Sequence, residues 1–217
     1  MNNEVARVNM KKQQLRTGNV FSEPVLELFD TIHRDDFVPY AYKPFAYSDM
    51  QIPLSHEQCM MTPLEEALLL QSLSLLGHEV VLEVGTGTGF LTALLSRLCK
   101  KVVSVDCYPE FTAMARAALE RHECSNVELL TGNASNGWVD RAPYDVVVFT
   151  GALDTLNKTQ RLQVAPGGRI FAIEGRYPLM QAKLHRLDHN GEWHEQVIFE
   201  TCLPPLMDTL KHNPFVF

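Results

Sequence analysis

Three glycines directly follow an apolar run and form the first pattern in this chain that could support chemistry. Gly85, Gly87 and Gly89 come after Val80–Val84, which is typical of a buried strand. A glycine-rich turn after the first strand of a parallel sheet is where a nucleotide-like cofactor sits, because glycines adopt positive φ and let the backbone approach the ligand closely. The alternative is a tight strand-to-helix turn that holds no ligand.

The spacing of these glycines argues against a nicotinamide cofactor. The dinucleotide fingerprint is G-x-G-x-x-G, whereas the third glycine here comes one position early and Phe90 stands where the fingerprint has glycine. The form E-x-G-x-G-x-G, which begins at Glu83, looks like the first motif of the Rossmann-like methyltransferases. This resemblance implies that Glu83, Thr86 and the three glycines bind S-adenosylmethionine.

Residues that follow the next strands are candidates for further cofactor contacts. Asp106 ends the second strand, about 20 residues after the glycine loop, where an acid hydrogen-bonds a ribose diol. Cys107 comes next and is expected to line the adenine side. Many methyltransferases have an aspartate that faces the adenine amino group near Asn133 and Ala134, and the amide oxygen of Asn133 can accept that hydrogen bond. Thr150 follows the fourth strand at the same sheet edge.

Short β-rich apolar runs alternate with helical segments from Glu79 onwards, which predicts a mostly parallel sheet with helices on both faces. The predicted strands and helices are Val80–Val84, Phe90–Leu98, Val102–Asp106, Pro109–Arg121, Val127–Leu130, Tyr144–Phe149 and Arg169–Ile173. Asn190-Gly191 is a strong turn signal between two later strands, Lys183–Leu187 and Glu195–Glu200. The prediction is a doubly wound, Rossmann-like α/β fold that ends in an antiparallel hairpin.

The N-terminal third differs, since it is typical of helices and loops. Helices are predicted over Pro24–Ile32 and from Thr62 towards Leu76, with Gly77 as a natural stop. We therefore divide the chain into a helical lid, residues 1–77, and a cofactor-binding core, residues 78–217. The tail from Leu203 is expected to pack on the core as a strap, with a partner-binding tail as the alternative.

Composition limits the other functions of this 217-residue chain. Its formal net charge of −7 argues weakly against a nucleic-acid partner, and five cysteines without a CxxC pair favour a reduced, cytoplasmic protein. No apolar run approaches the roughly 20 residues that span a bilayer. No metal site is expected, because His185 and His189, although four residues apart, fall on a predicted strand and turn.

Over most of its length the chain resembles the protein-L-isoaspartate O-methyltransferases. The matching segments are Gln14–Arg16, Arg34–Pro39, Ala46–Asp49, Ile52–Leu54, Leu82–Gly89, Asp145–Val148 and Gln163 to Arg169. The resemblance implies methyl transfer from S-adenosylmethionine to the α-carboxyl group of an isoaspartyl residue in a damaged protein. A carboxylate is ionised at pH 7 and needs no general base, so the enzyme has mainly to align the two reactants and exclude water.

One segment departs from the family pattern. The family motif is approximately Q-T-x-S-x-P, and its serine lies at the reacting carboxylate, whereas Gln58–Pro63 has Met61 at that position. Methionine donates no hydrogen bond, so Thr62, one residue further on, is the catalytic candidate together with nearby backbone amides. Two alternatives stay open. One is a methyltransferase with a different acceptor, including a small molecule, and the other is a non-catalytic module that binds S-adenosylmethionine.

Overall fold

A seven-stranded mixed sheet forms the centre of the computed structural model, which describes residues 3–209. The strands in chain order are β1 (Ile52–Pro53), β2 (Cys59–Met60), β3 (Val80–Val84), β4 (Lys101–Asp106), β5 (Val127–Thr131), β6 (Tyr144–Leu153), β7 (Val164–Arg176), β8 (Leu179–Leu187) and β9 (Trp193–Thr201). The large sheet has the order β5-β4-β3-β6-β7-β8-β9, while β1 and β2 pair separately. Strands β3 to β7 run parallel, and β8 and β9 are antiparallel.

Helices connect the parallel strands and build most of the N-terminal segment. They are α1 (Asn3–Met10), α2 (Glu23–Thr31), α3 (Pro63–Leu73), α4 (Phe90–Ser96), α5 (Pro109–Arg121) and α6 (Lys158–Arg161). One π-helical turn continues α1, and three 3₁₀ turns complete the set: Lys11–Leu15, Arg34–Asp36, Tyr40–Phe45 and Val139–Arg141. None of the helices in residues 3–209 combines the length and apolar character that a membrane crossing requires.

The predicted α/β fold, the mostly parallel sheet and the terminal hairpin are confirmed, but several boundaries were wrong. Helix α3 ends at Leu73 rather than near Leu76, because Ser74 takes the left-handed conformation at φ 51° before Gly77 is reached. Strand β6 continues four residues past Phe149, and β7 is longer than predicted at both ends. The β1–β2 pair was not predicted, since strands of two residues have no detectable periodicity.

The strand order creates the crevice that matters for function. The chain moves outward from β3 through β4 to β5, then returns to β6 on the other side of β3. Loops after β3 and β6 therefore leave the sheet in opposite directions, and open α/β sheets bind ligands at such a point. The glycine loop follows β3 directly.

Two hydrophobic clusters cover the two faces of the sheet, as continuous apolar strands require. Phe29, Leu69 and Phe90 belong to one cluster, in which the N-terminal helices and α4 pack together. Tyr144 and Phe149 belong to the other. Since the first cluster contains residues from both sides of Gly77, the two predicted regions share one core, and their division at residue 77 stays a prediction.

Candidate functional site

A cleft of about 890 Å³ lies where β3 to β6 end. Its walls are the glycine loop, the residues after β4, β5 and β6, the segment from Leu54 to Met61, and the chain that follows β9. Eight predicted site residues line it: Gly85, Thr86, Gly87, Asp106, Cys107, Asn133, Ala134 and Thr150. Residues far apart in the sequence thus meet in one cavity.

The glycine loop needs glycine at two positions for different reasons. Gly85 has φ +99°, and a Cβ there would come within 2.1 Å of Thr150 Oγ1. That hydroxyl supports the loop from β6, as it lies 3.0 Å from Val84 O and 2.9 Å from Gly85 O. Gly87 has φ +52°, and the nearest atom to a Cβ built there would be Leu54 Cδ1 at 3.7 Å. Gly87 therefore faces open space in the cleft.

Asp106 connects the end of β4 to the glycine loop. Its Oδ2 accepts a hydrogen bond from the Gly87 amide at 2.8 Å, and its Oδ1 accepts one from the Tyr108 amide at 3.0 Å. Burial raises the pKa of the Asp106 carboxyl, and the amide donors oppose that shift. Each carboxylate oxygen has more than one acceptor site, so both retain capacity for a ribose hydroxyl.

Glu83 and Gly89 are not among the residues that line the cleft, and their predicted contact with the cofactor stays a prediction. Glu83 is fully buried beneath the loop, where Ser104 Oγ and Thr92 Oγ1 donate to its Oε2. Burial raises its pKa to about 7. Gly89 provides close packing instead, since a Cβ there would lie 2.9 Å from Ala115 Cβ. Both residues shape the loop from behind.

Asn133 is engaged in a different way from the one predicted. Its amide oxygen accepts a hydrogen bond from the Ser135 amide at 2.9 Å, and its Nδ2 donates to Asp208 Oδ2 at 3.0 Å. Ala134 is buried beside it, and Cys107 is half-buried, with a pKa that burial raises. The adenine contact of Asn133 stays a prediction, and its observed partner is the C-terminal segment.

That segment, residues 203–209, is here called the strap. It lies along the end of β6: the Ala152 amide donates to Pro204 O at 2.9 Å, and the Leu206 amide donates to Ala152 O at 3.0 Å. Residues Leu203 to Met207 line the cleft. The expected strap is therefore confirmed for these residues, while the predicted tail beyond them, including Pro214 and Phe215–Phe217, lies outside the described residues.

The segment Gln58–Pro63, which resembles the family motif, contributes the wall of the cleft opposite the strands. Arg34 Nη2 donates to Met61 O at 2.6 Å, and the Met61 side chain is buried in the cleft wall. Thr62 is not among the lining residues. It begins α3 with a capping box, in which its hydroxyl accepts from the Glu65 amide at 3.2 Å and its own amide donates to Glu65 Oε2 at 2.7 Å. The Thr62 oxygen is thus an acceptor in the helix cap, and its O–H group stays available as a donor, but Thr62 does not line the cleft.

Glu66 lines the cleft and was missed by the sequence analysis. It is 2% exposed and forms a buried ion pair with Arg34. Burial raises the pKa of Glu66 to about 8, against the lowering effect of Arg34. The available signal was its helical position, because Leu69, Leu70 and Leu73 place residue 66 on the buried stripe of α3.

Two further groups lie outside the predicted set. At the cleft rim the Tyr108 ring stacks on His56, with ring centroids 3.9 Å apart. At the β8–β9 turn, ligand atoms of Asp188, Glu192 and His194 lie within 4.8 Å of one another, a grouping that the sequence did not suggest. Asp188 already accepts from two turn amides, and exposed acidic groups of this kind are common without an ion.

Comparisons with known proteins match this architecture. The family model described as protein-L-isoaspartate(D-aspartate) O-methyltransferase covers residues 6–209. A protein-L-isoaspartate O-methyltransferase of Koribacter versatilis is 36% identical over 208 residues, which cover 96% of this chain and 93% of that protein. One from Myxococcus xanthus is 40% identical over 151 residues, 70% of this chain and 71% of that protein.

Solved structures agree on the fold. A protein-L-isoaspartate O-methyltransferase superimposes with a TM-score of 0.77 at 24% identity, covering 94% of this chain and 65% of the other. A Plasmodium falciparum protein, described as a protein-L-isoaspartate O-methyltransferase in complex with S-adenosyl-L-homocysteine, superimposes with a TM-score of 0.76 at 15% identity. The match covers 95% of this chain and 98% of the other. With the family model matched over nearly all the described residues, the chain belongs to the protein-L-isoaspartate(D-aspartate) O-methyltransferase family.

Proposed function

We propose that this protein is an S-adenosylmethionine-dependent methyltransferase that esterifies the α-carboxylate of isoaspartyl residues in proteins or peptides. One observation carries the proposal. The glycine loop, Asp106 and the segment that corresponds to the family's acceptor motif line a single cleft. The relatives from Koribacter versatilis and Myxococcus xanthus support the same activity by their names.

The cleft residues fit the cofactor chemically. The open face of Gly87 leaves room for close approach, and Asp106 retains acceptor capacity for the ribose diol. In this proposal Cys107 and Ala134 flank the adenine, and Thr150 holds the loop in shape. The N-terminal region, residues 1–77, contributes the acceptor-side wall and acts as a lid on the core of residues 78–217.

S-adenosylmethionine, when bound, supplies an activated methyl group on a sulfonium. The protein has to bring an anionic acceptor in line with that group and exclude water, because a carboxylate is a competent nucleophile without a base. Apolar side chains line both walls and would exclude water; they include Leu54, Met61 and Leu206. Thr62 and neighbouring backbone amides are the proposed acceptor contacts, and the Thr62 hydroxyl can donate while its oxygen accepts the capping hydrogen bond.

A second candidate function is methyl transfer to a different acceptor, which includes an unidentified small molecule. The specific observation that favours it is Met61, whose buried side chain lies in the cleft wall at the position where the motif resemblance implies a serine. A cleft wall built from Met60 and Met61 suits an apolar acceptor better than an anionic one.

The test is a transfer assay with methyl-labelled S-adenosylmethionine and two peptides that differ only in an isoaspartyl or aspartyl linkage. The proposal expects a base-labile labelled ester on the isoaspartyl peptide and background on its twin. Equal labelling of both would contradict isoaspartyl recognition. Labelling of neither, with turnover on another acceptor, would support the second candidate, and cofactor binding with no turnover on any acceptor would support a binding module.

The cellular setting belongs to the same proposal. All five cysteines are free, which suits the reducing cytoplasm. We also propose that nucleic acid is not a partner, because the net charge of −7 opposes binding to phosphates. Cell fractionation and a filter-binding assay at low salt test these two statements.

A further inference from the structure

Glu66 is a largely buried side chain that brings one carboxylate oxygen without a protein partner to the cleft. Its Oε2 pairs with Arg34 Nη1. Within residues 3–209, no hydrogen bond to its Oε1 is formed, although the side chain is 3% exposed and lines the cleft. Oε1 is not a fully enclosed atom, so its remaining surface opens into the cleft that the side chain lines, where a ligand group that donates a hydrogen bond can reach it.

We infer that Glu66 Oε1 forms a subsite for an ammonium group, and that its ligand is the α-ammonium of the cofactor's methionine moiety. This inference rests on the proposed function, because it assumes that the cleft binds S-adenosylmethionine. It adds a residue from the N-terminal region to the cofactor site, which the glycine-loop motif did not contain.

The hydrogen-bonding groups around Glu66 favour a ligand that donates over an anion that accepts. Among the groups that shift the pKa of Glu66, Arg34 is positive, and Glu65 and Glu83 are negative when ionised. Arg34 is already engaged by Glu66 Oε2 and by Met61 O. A carboxylate acceptor would therefore compete with Glu66 and Met61 for the Arg34 donors, whereas an ammonium group can donate to Glu66 Oε1 and favours the ionised form of Glu66.

The position of Glu66 in the cleft agrees with this assignment. In the proposed function Asp106 contacts the ribose and Cys107 and Ala134 flank the adenine, so the amino-acid chain of the cofactor extends the other way. Arg34, the partner of Glu66, lies over the Phe90 ring at 5.0 Å, and Phe90 is the first residue after the glycine loop. Glu66 is thus at the end of the cleft that the methionine moiety would reach.

Binding of an ammonium group would also change the proton occupancy of Glu66. Burial raises the pKa of Glu66 to about 8 in the free protein, so near neutral pH the carboxyl holds a proton for much of the time. A cation beside Oε1 favours the ionised form and lowers that pKa. Cofactor binding should therefore release a proton from this site.

The experiment compares two ligands by calorimetric titration. S-adenosylhomocysteine contains the ammonium group, and 5′-methylthioadenosine keeps the adenosine and sulfur but lacks the amino-acid chain. The test variant is Glu66→Gln, which keeps an oxygen for Arg34. The matched control is Glu65→Gln on the same helix, because Glu65 does not line the cleft and a glutamine there still closes the capping box.

We expect Glu66→Gln to weaken binding of S-adenosylhomocysteine by about tenfold to a hundredfold, as for loss of a charge-assisted hydrogen bond. Its affinity for 5′-methylthioadenosine should stay within about twofold of wild type. Titrations in buffers of different ionisation enthalpy should show proton release for wild type and Glu65→Gln, and none for Glu66→Gln. Unchanged S-adenosylhomocysteine affinity in Glu66→Gln would overturn the inference, even if the Michaelis constant for an acceptor rose.

Equal weakening of both ligands in Glu66→Gln would also overturn it, because Glu66 would then support the cleft as a whole. Binding of 5′-methylthioadenosine also serves as the control for correct folding of the variant, since a misfolded cleft would bind neither ligand. If wild type binds neither ligand, the proposed function fails first. If wild type binds both ligands equally, the proposed function stands and the ammonium subsite is contradicted.

Discussion

Asp106 Oδ2 accepts a hydrogen bond from the Gly87 amide at 2.8 Å, so the acid that ends β4 also fixes the loop that follows β3. One side chain thereby has two functions in this account: it holds the loop from β4, and it offers its remaining acceptor capacity to the ribose. Neither function depends on which molecule accepts the methyl group.

Replacing Asp106 with alanine removes both functions. We expect S-adenosylhomocysteine affinity to fall by at least about tenfold to a hundredfold, because a charge-assisted bond and the loop anchor are lost together. Calorimetric titration measures it. Asp140→Ala, an exposed acid after β5, is the control and should bind like wild type. An Asp106→Ala protein with wild-type affinity would remove Asp106 from the site.

The glycine loop predicts different losses of stability for substitutions at Gly85 and Gly87. Gly85→Ala should lower the free energy of unfolding by about 2 kcal/mol or more, since its Cβ would overlap Thr150 Oγ1 at a positive φ. Gly87→Ala meets open space but also has a positive φ, so it should lower the free energy of unfolding by only about 1 kcal/mol, while losing cofactor affinity. Urea denaturation and titration separate the two effects, and a stable Gly85→Ala protein would contradict the packing described.

Glu83 predicts a pH dependence of stability. Its pKa is raised from 4.5 to about 7 by burial, so the folded state holds a proton that the unfolded state releases. Stability from this group is complete below about pH 4.5 and falls, by at most about 1.4 kcal/mol per pH unit, as pH rises to about 7. Glu83→Gln should flatten that slope in urea denaturation at several pH values.

The exposed Glu120→Gln variant on α5 serves as the control for that series and should keep the wild-type slope. Glu66 has a raised pKa as well, so some slope remains in Glu83→Gln. Identical pH profiles for wild type and Glu83→Gln would mean that Glu83 does not change protonation on folding.

Met61 allows a direct test of the acceptor chemistry. If the resemblance to the family motif holds, Met61→Ser supplies the missing donor, and isoaspartyl methylation should rise by about tenfold, as for one hydrogen bond to a charged group. Met60→Ser is the control, since Met60 lies next to Met61 and also lines the cleft. Activity is compared per folded molecule, because either change leaves a cavity. No gain in Met61→Ser would favour a different acceptor.

The strap should slow release of the cofactor through its contact with Asn133. Asp208→Ala removes the acceptor of the Asn133 amide, an exposed bond worth about 0.5–1.5 kcal/mol, so the dissociation rate should rise about two- to tenfold. Displacement of labelled S-adenosylhomocysteine by excess unlabelled ligand measures it. Glu200→Ala, on the exposed face of β9, should leave the rate unchanged. Equal rates in all three proteins would show that the strap does not hold the ligand.

The parts of this site that follow a strand were predictable from the sequence. Gly85, Gly87 and Asp106 lie at ends of parallel strands, and such strands read as continuous apolar runs whose ends meet at one edge. Local pattern was enough for them, because the sheet dictates where each strand end lies.

The remaining parts depend on contacts between distant segments. Glu66 meets Arg34 across 32 positions of sequence, and Asn133 meets Asp208 across 75. No local periodicity encodes such pairs. Thr62 illustrates a competing local demand, because it caps the first turn of α3 and lies outside the lining of the cleft, although the motif suggested it for the acceptor.

Titration of the wild-type protein with S-adenosylhomocysteine tests the central claim, a cofactor cleft built on the glycine loop and Asp106. We predict saturable binding of one ligand per chain, competed by S-adenosylmethionine and weakened in Asp106→Ala. Absence of binding by a folded wild-type protein would contradict the cofactor assignment, and with it every functional role proposed for the cleft.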